Sequence, residues 1–280
     1  MTDSLRPSSL TPNYPFYHNG HYLEEYFFHN RKRSDLTRTY IDAFWTNLYS
    51  NRSFAGVHGV DIQSELDRLD RKGSYFTVCQ NDDGILESLP PDTLKFCAGG
   101  NKIDDNTIPI PLIAAPILGI DLSRDKDILA SFVGSNTHPL RAEMYKTLRK
   151  KEGFSIHMKN WSLELPQDAY AQFMELSSRS KFMLAPRGYG ATSFRLYEAF
   201  QFNCIPVYIS DVLYLPYKEI IDWNDISILI SPQEIDQIED ILHECVNSGG
   251  YQRKLDNIKD IKHLFTMDHM VDYIETKLAK

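Results

Sequence analysis

No stretch of the 280-residue chain stays apolar for the roughly 18–20 residues a membrane-spanning helix needs, so no membrane insertion is expected. Cysteine is scarce: Cys79, Cys97, Cys204 and Cys245 stand far apart, with no CxxC pair and no Cys/His group at zinc-like spacing. They are expected to be free buried thiols of a reducing compartment. Positive charge is in deficit, with 30 Lys and Arg against 38 Asp and Glu and a formal net charge of -8. Duplex nucleic acid is therefore not an expected partner, although a local basic pocket for a small anion remains compatible with an acidic protein. The opening residues hold no apolar h-region, so no signal peptide is expected and the chain is read as cytoplasmic. Internal repeats and low-complexity tracts are also lacking. What is present is an ordinary globular balance, 42% hydrophobic and 24% charged, at a length that suggests two domains.

The first half is read as a helix over 21–29, an aromatic strand or helix over 39–48, a helix over 62–69 and a strand over 75–79. That strand stops at Gln80-Asn81-Asp82-Asp83-Gly84, which is turn chemistry. Residues 108–116 carry three prolines and are read as an extended crossover. The domains are set at 1–115 and 116–265, with 266–280 as an amphipathic helix that docks back on the N-terminal domain. The second half alternates. Strands are expected at 128–133, 154–158, 181–185, 205–209 and 226–230. Helices are expected at 140–150, 167–179, 193–202, 235–246 and 251–265. Such alternation predicts α/β structure with a doubly wound parallel sheet.

Two loops in that half carry chemistry. A strand runs into Pro186-Arg187-Gly188-Tyr189-Gly190, and Ala191-Thr192-Ser193 then opens a helix bearing Arg195 and Glu198. Open α/β sheets bind ligands beyond the carboxyl ends of their strands. A helix start offers N–H groups and a positive dipole end to an anion. Arg187 and Arg195 add charge, and Glu198 is placed to accept hydrogen bonds from sugar hydroxyls. A nucleoside diphosphate satisfies all three features, although the glycine spacing by itself equally fits a loop with an ordinary Ser cap. The second loop follows the strand at Ile128. It reads Gly134-Ser135-Asn136-Thr137-His138, with Arg141 in the first turn of the next helix, facing an anion or simply exposed.

Taken together, residues from about 127 to 265 resemble the exostosin family of glycosyltransferases. The resemblance rests on Gly134, His138 and Arg141, then on Ser180-Lys-Phe-x-Leu-x-Pro-Arg-Gly-x-Gly and Ser193-x-Arg195-Leu-x-Glu198-Ala. It continues through Cys204-Ile-Pro-Val and Asp211 with Leu215-Pro-Tyr. The first half is similar more weakly, through Tyr14-Pro-Phe-Tyr and Tyr75-Phe-Thr-Val leading to Asp82-Asp83-Gly84. The resemblance implies a GT-B architecture of two Rossmann-like domains facing a cleft. The C-terminal domain would hold a UDP-sugar and the N-terminal domain a glycan acceptor. It implies inversion at the anomeric carbon with no obligatory cofactor or metal. By motif position Glu198 would bind the ribose. Arg187, Gly188, Gly190, Ser193 and Arg195 would hold the diphosphate, bordered by Gly134, Ser135 and Arg141. With no membrane anchor visible, a compact soluble form such as a microbe or large algal virus encodes is expected. It would use UDP-xylose first, then UDP-galactose or UDP-glucuronic acid, since no spare cation is evident for a uronate.

An inverting transfer needs a base for the attacking hydroxyl. Asp82 and Asp83, beyond a strand end in the acceptor half, are the first candidates, ahead of His18, Glu24, Glu25, His58 and Asp61. Phe16, Tyr17, Tyr22, Phe27 and Phe28 either stack on sugars or build core. Asp125-Lys126-Asp127 matches a metal-binding pattern literally but precedes its strand, so it is read as a charged strand entry. Two alternatives stay open. One is a Rossmann oxidoreductase or methyltransferase, with Asp211 as its acidic residue. The other is a non-catalytic glycan-binding module.

Overall fold

The computed structural model describes residues 3–10, 21–163 and 167–279. The Tyr14-Pro15-Phe16-Tyr17 motif and His18 lie outside the described residues. The chain divides into two compact units, Met1–Ala115 with Leu264–Lys280, and Pro116–His263. Each unit is α/β and built on a parallel sheet, the construction a GT-B protein requires.

The first unit runs α1 (Leu23–Asn30), β1 (Thr39–Tyr40), α2 (Trp45–Phe54), α3 (Ile62–Leu66), β2 (Tyr75–Cys79), β3 (Leu94–Cys97) and β4 (Thr107–Pro109). Its strands lie in the order β1-β2-β3-β4. Strand β2 is buried at every position, as a central strand of a parallel sheet must be when both faces are covered. The segment 39–48, ambiguous in sequence, is both things: two residues pair with β2, then Trp45 opens a helix. The Trp45 indole donates to Thr77 Oγ1 at 2.8 Å, so its polar edge is satisfied inside the core. Tyr22 and Phe27 are core residues too, Phe27 standing edge-on to Tyr40 and Phe76. The proline-rich run begins as β4, an edge strand, where Pro109 is tolerated.

The second unit runs β5 (Ile128–Ser135), α4 (Pro139–Leu148), β6 (Phe154–Lys159), α5 (Gln167–Arg179), β7 (Ser180–Pro186), α6 (Phe194–Gln201), β8 (Ile205–Ile209), β9 (Ile228–Ile230), α7 (Ile238–Asn247) and α8 (Gly250–Ile261). The strand order is β6-β5-β7-β8-β9, a doubly wound sheet whose order reverses between β5 and β7. Strand β8 is buried throughout, and Val133, Met183, Phe173, Phe202 and Cys204 form one core cluster beneath α5 and α6.

The last helix, α9 (Met267–Leu278), belongs to the first unit. It is held there by polar contacts as well as by its apolar stripe. Tyr26 Oη donates to Asp268 Oδ1 at 2.6 Å. The buried Glu275 accepts the main-chain N–H groups of Lys32 (2.6 Å) and Arg33 (2.9 Å), just beyond the end of α1. All four cysteines are free and buried. Among the described residues no helix is long and apolar enough to cross a membrane.

Candidate functional site

The carboxyl edge of the second sheet is held together by arginine. Arg141, in the first turn of α4 and almost fully buried, donates from Nε to Arg187 O (2.9 Å), from Nη1 to Ser135 O (2.8 Å) and from Nη2 to Pro186 O (3.2 Å). Those carbonyls end β5 and β7, the two strands at the switch point. One side chain therefore fixes the spacing of both loops, and its guanidinium lies over the Phe132 ring at 5.4 Å. Arg195 does the equivalent from α6. Its Nε (2.9 Å) and Nη2 (2.8 Å) both reach Val133 O, its Nη1 pairs with Glu198, and it lies 4.1 Å over the Phe173 ring. Arg187 donates to Asp211 Oδ1 at 2.6 Å and to Tyr189 O at 3.1 Å.

The structure thus brings Gly134, Ser135, Arg141, Arg187, Gly188, Ser193, Arg195 and Glu198 into one network across the ends of β5, β7 and α6. Gly134 and Gly188 serve by size, since neither has positive φ. A Cβ on Gly134 would stand 2.5 Å from Phe132 Cζ, and one on Gly188 would stand 3.1 Å from Arg141 Nη2. Ser193 caps α6, its Oγ accepting Arg195 N at 3.4 Å. The first turn of α6 carries the main-chain N–H groups and the positive dipole end of a helix start. His138 caps α4 through Nδ1, which accepts Leu140 N at 3.3 Å. Burial, and then the Arg187 charge, hold its imidazole below the ordinary histidine value. Burial alone would raise the Asp211 carboxyl, but the Arg187 hydrogen bond and charge outweigh it and keep Asp211 below the usual range. Tyr208 Oη reaches Ala191 O (2.6 Å) and Val212 O (2.9 Å), bracing the loop after β7 against the loop after β8.

Sequence reasoning passed over Lys159. It ends β6, in register with Ser135, and its Nζ is buried with no hydrogen-bond partner among the described residues. An uncompensated ammonium is costly away from water. The signal available in sequence was its place at the end of a strand next to the glycine loop.

In the first unit Asp82 and Asp83 occupy a tight turn after β2. Gly84 N bonds Asn81 O (3.0 Å) and Asp83 N bonds Asn81 Oδ1 (3.0 Å). The loop after β3 holds this turn, through Asn101 N to Asp82 O (3.1 Å) and Asn101 Nδ2 to Asp83 Oδ1 (3.1 Å). The fit is close enough that a Cβ on Gly99 would stand 2.1 Å from Asn81 O. Glu24 is fully buried. It accepts Thr46 N (2.6 Å) and Gln80 N (3.0 Å), joining α1, the start of α2 and the end of β2. Burial pushes its carboxyl up to about 7, the Thr46 hydrogen bonds only partly opposing. Glu25 caps α1 and accepts Asn47 Nδ2, Asp61 caps α3, and His58 is exposed. Asp127, at the amino end of β5, is bound by Arg179. Among the described residues no group of three or more His, Cys, Asp or Glu side chains is placed to hold a metal ion.

A doubly wound sheet with arginine-braced loops and a capped helix at its switch point is the ligand edge of an α/β binding unit. The model of the Exostosin GT47 domain matches residues 97–245, which contain these loops entire. The chain belongs to the exostosin GT47 family. A probable glucuronosyltransferase of Oryza sativa subsp. japonica is 28% identical over 175 residues, covering 59% of this chain and 41% of that one. An exostosin-1 homolog of Caenorhabditis elegans is 39% identical over 71 residues, 25% of this chain and 19% of that one. The chain therefore spans less than half the length of these curated relatives. Among solved structures, TarM superposes with a TM-score of 0.43 at 10% identity, covering 74% of this chain and 55% of that one.

Proposed function

We propose that the protein is an inverting glycosyltransferase that moves a sugar from a UDP-sugar to a hydroxyl of a glycan acceptor. The observation that carries this reading is Arg141, which ties the ends of β5 and β7 into one wall opposite the start of α6. Ser193, Gly188 and Gly190 with the α6 amides, flanked by Arg187 and Arg195, hold the diphosphate. Gly134 and Ser135 border it, Arg141 fixes both loops beneath it, and Glu198 accepts from the ribose. The acceptor oxygen bonds to the anomeric carbon as the bond from that carbon to the β-phosphate oxygen breaks. The electron pair leaves with UDP, whose growing charge the oriented amides and arginines stabilise. The acceptor proton passes to Asp82 or Asp83. The step draws on no metal.

One observation favours a second reading of the donor. A pentose was expected because no spare cation was evident for a uronate. Lys159 is such a cation, and the Oryza relative is named a probable glucuronosyltransferase. UDP-glucuronic acid thus stands beside UDP-xylose, ahead of UDP-galactose. The test is a panel of UDP-sugars with the purified protein in EDTA, followed by UDP release and thermal shift. Release or stabilisation by one donor supports the reading and ranks the sugars. No response to any donor, with or without added metal, contradicts it.

A further inference from the structure

His138 stands at the switch point, and the donor reading leaves it unused. Its backbone is set locally. Pro139 restricts the residue before it to extended conformation, and His138 sits at φ -154° and ψ 146°, the shape of a helix cap. Asp61, Ser193 and Thr266 cap α3, α6 and α9 with a short side-chain oxygen. At α4 the acceptor is instead an imidazole nitrogen, Nδ1, which takes Leu140 N at 3.3 Å. A serine would satisfy that N–H equally. What histidine adds is a second ring nitrogen.

The cap decides what that nitrogen carries. Nδ1 directs its lone pair at Leu140 N, so the neutral ring keeps its proton on Nε2. A second proton would have to enter at Nδ1 and break the cap. Three charged groups face the ring: Arg187 from the loop after β7, Asp211 from the loop after β8 and Arg141 from α4 itself. Burial and the two arginines hold the imidazole below the ordinary histidine value, Asp211 only partly opposing, so it is neutral near about pH 7. Asp211 is bound to Arg187 at 2.6 Å, and Arg141 is committed to three carbonyls. Nε2 meets no hydrogen-bond acceptor among the described residues. The residue before His138 packs on the glycine loop, since a Cβ on Gly188 would stand 3.5 Å from Thr137 Oγ1. An unengaged N–H donor is thus held, in a fixed tautomer, where the two loops of the donor site meet.

We propose that His138 is a catalytic residue whose Nε2–H donates a hydrogen bond to the β-phosphate oxygen leaving the anomeric carbon. The inference rests on the glycosyltransferase reading and adds a residue to it. As the carbon–oxygen bond breaks, its electron pair moves onto that oxygen and the hydrogen bond strengthens. The proton stays on the ring, and UDP departs as the anion. A donor whose bond tightens as charge develops speeds the chemical step more than it tightens substrate binding.

The experiment titrates UDP into the full chain labelled at its imidazole nitrogens, beside turnover of UDP-xylose and UDP-glucuronic acid read as UDP release. In the free protein the His138 proton should lie on Nε2. Saturating UDP should move the Nε2 resonance and leave Nδ1 unprotonated. His138→Asn keeps a cap acceptor but has no Nε2–H. Its melting temperature should hold while kcat falls about a hundredfold and KM changes by less than about threefold. His138→Ala should lose melting temperature as well. An Nε2 resonance unmoved at saturating UDP, or wild-type turnover in His138→Asn, overturns the role and leaves His138 a cap. If neither donor turns over, the resonance decides alone. No UDP binding by the wild-type chain in calorimetry overturns the parent reading instead, so the two failures are distinguishable.

Discussion

The loop after β7 and the loop after β2 both end a buried parallel strand, yet they use polar groups in opposite ways. After β7 the cations turn inward. Arg141 and Arg195 place their N–H groups on main-chain carbonyls. After β2 the main chain is stitched by Asn81 and Asn101, and two carboxylates stay partly exposed at the tip. The first arrangement suits recognition of fixed charge, because preorganised dipoles need no rearrangement when a diphosphate arrives. The second suits proton transfer, because the hydrogen-bonded turn fixes where the two carboxylates stand.

The largest expected effect comes from removing the brace. Arg141→Met strands three carbonyls at the ends of β5 and β7 and should cost on the order of 3–5 kcal/mol of stability. It should also abolish measurable UDP binding in whatever folds. A denaturant melt with a parallel UDP titration reads both. If UDP still binds at wild-type affinity, the brace does not shape the donor site.

Next come the carboxylates. Asp82→Asn or Asp83→Asn should lower kcat by about 10²–10⁴ with donor affinity unchanged. Full turnover in both would place the base elsewhere. Gly99→Ala should act like them at one remove, since its Cβ meets Asn81 O at 2.1 Å and must displace the turn.

Glu24 sharpens the same contrast through pH. Its carboxyl is raised to about 7 from an ordinary 4.5, so the fold prefers the protonated form. The stabilisation is complete below about pH 4.5 and is lost as pH rises through 7, a swing of up to about 3 kcal/mol. Thermal melts from pH 5 to 8 should show wild-type stability declining relative to Glu24→Gln. Parallel curves would mean the carboxyl titrates normally. The smallest effect belongs to Glu198→Ala, which should weaken UDP binding by about 1–3 kcal/mol without unfolding α6. Unchanged affinity by calorimetry would remove Glu198 from the ribose.

The second unit was legible because its strands are short apolar runs separated by amphipathic helices, and that alternation is a local property. Strand β3 was missed because Leu94–Cys97 is brief, half-buried at its start and preceded by Pro90-Pro91; pairing with β2 makes it a strand. Residues 235–246 and 251–265 proved shorter as α-helices, since 232–237 and 262–264 wind as 3-10 turns. Chemistry was harder to read than fold. An arginine in a first helical turn reads as an anion ligand, and only the folded chain shows Arg141 occupied by three carbonyls. In sequence Glu24 reads as one of the weaker candidates for the base. Its burial comes from Thr46 and Gln80, 22 and 56 residues away.

The central claim is that UDP sits at the β5/β7 switch point. The most direct test is amide chemical-shift mapping of the full chain on addition of UDP. Shifts concentrated at residues 134–141 and 187–198, including the amides of Gly134, Gly188 and Gly190, are predicted. Shifts confined to other residues, or none at saturating UDP, would contradict the account.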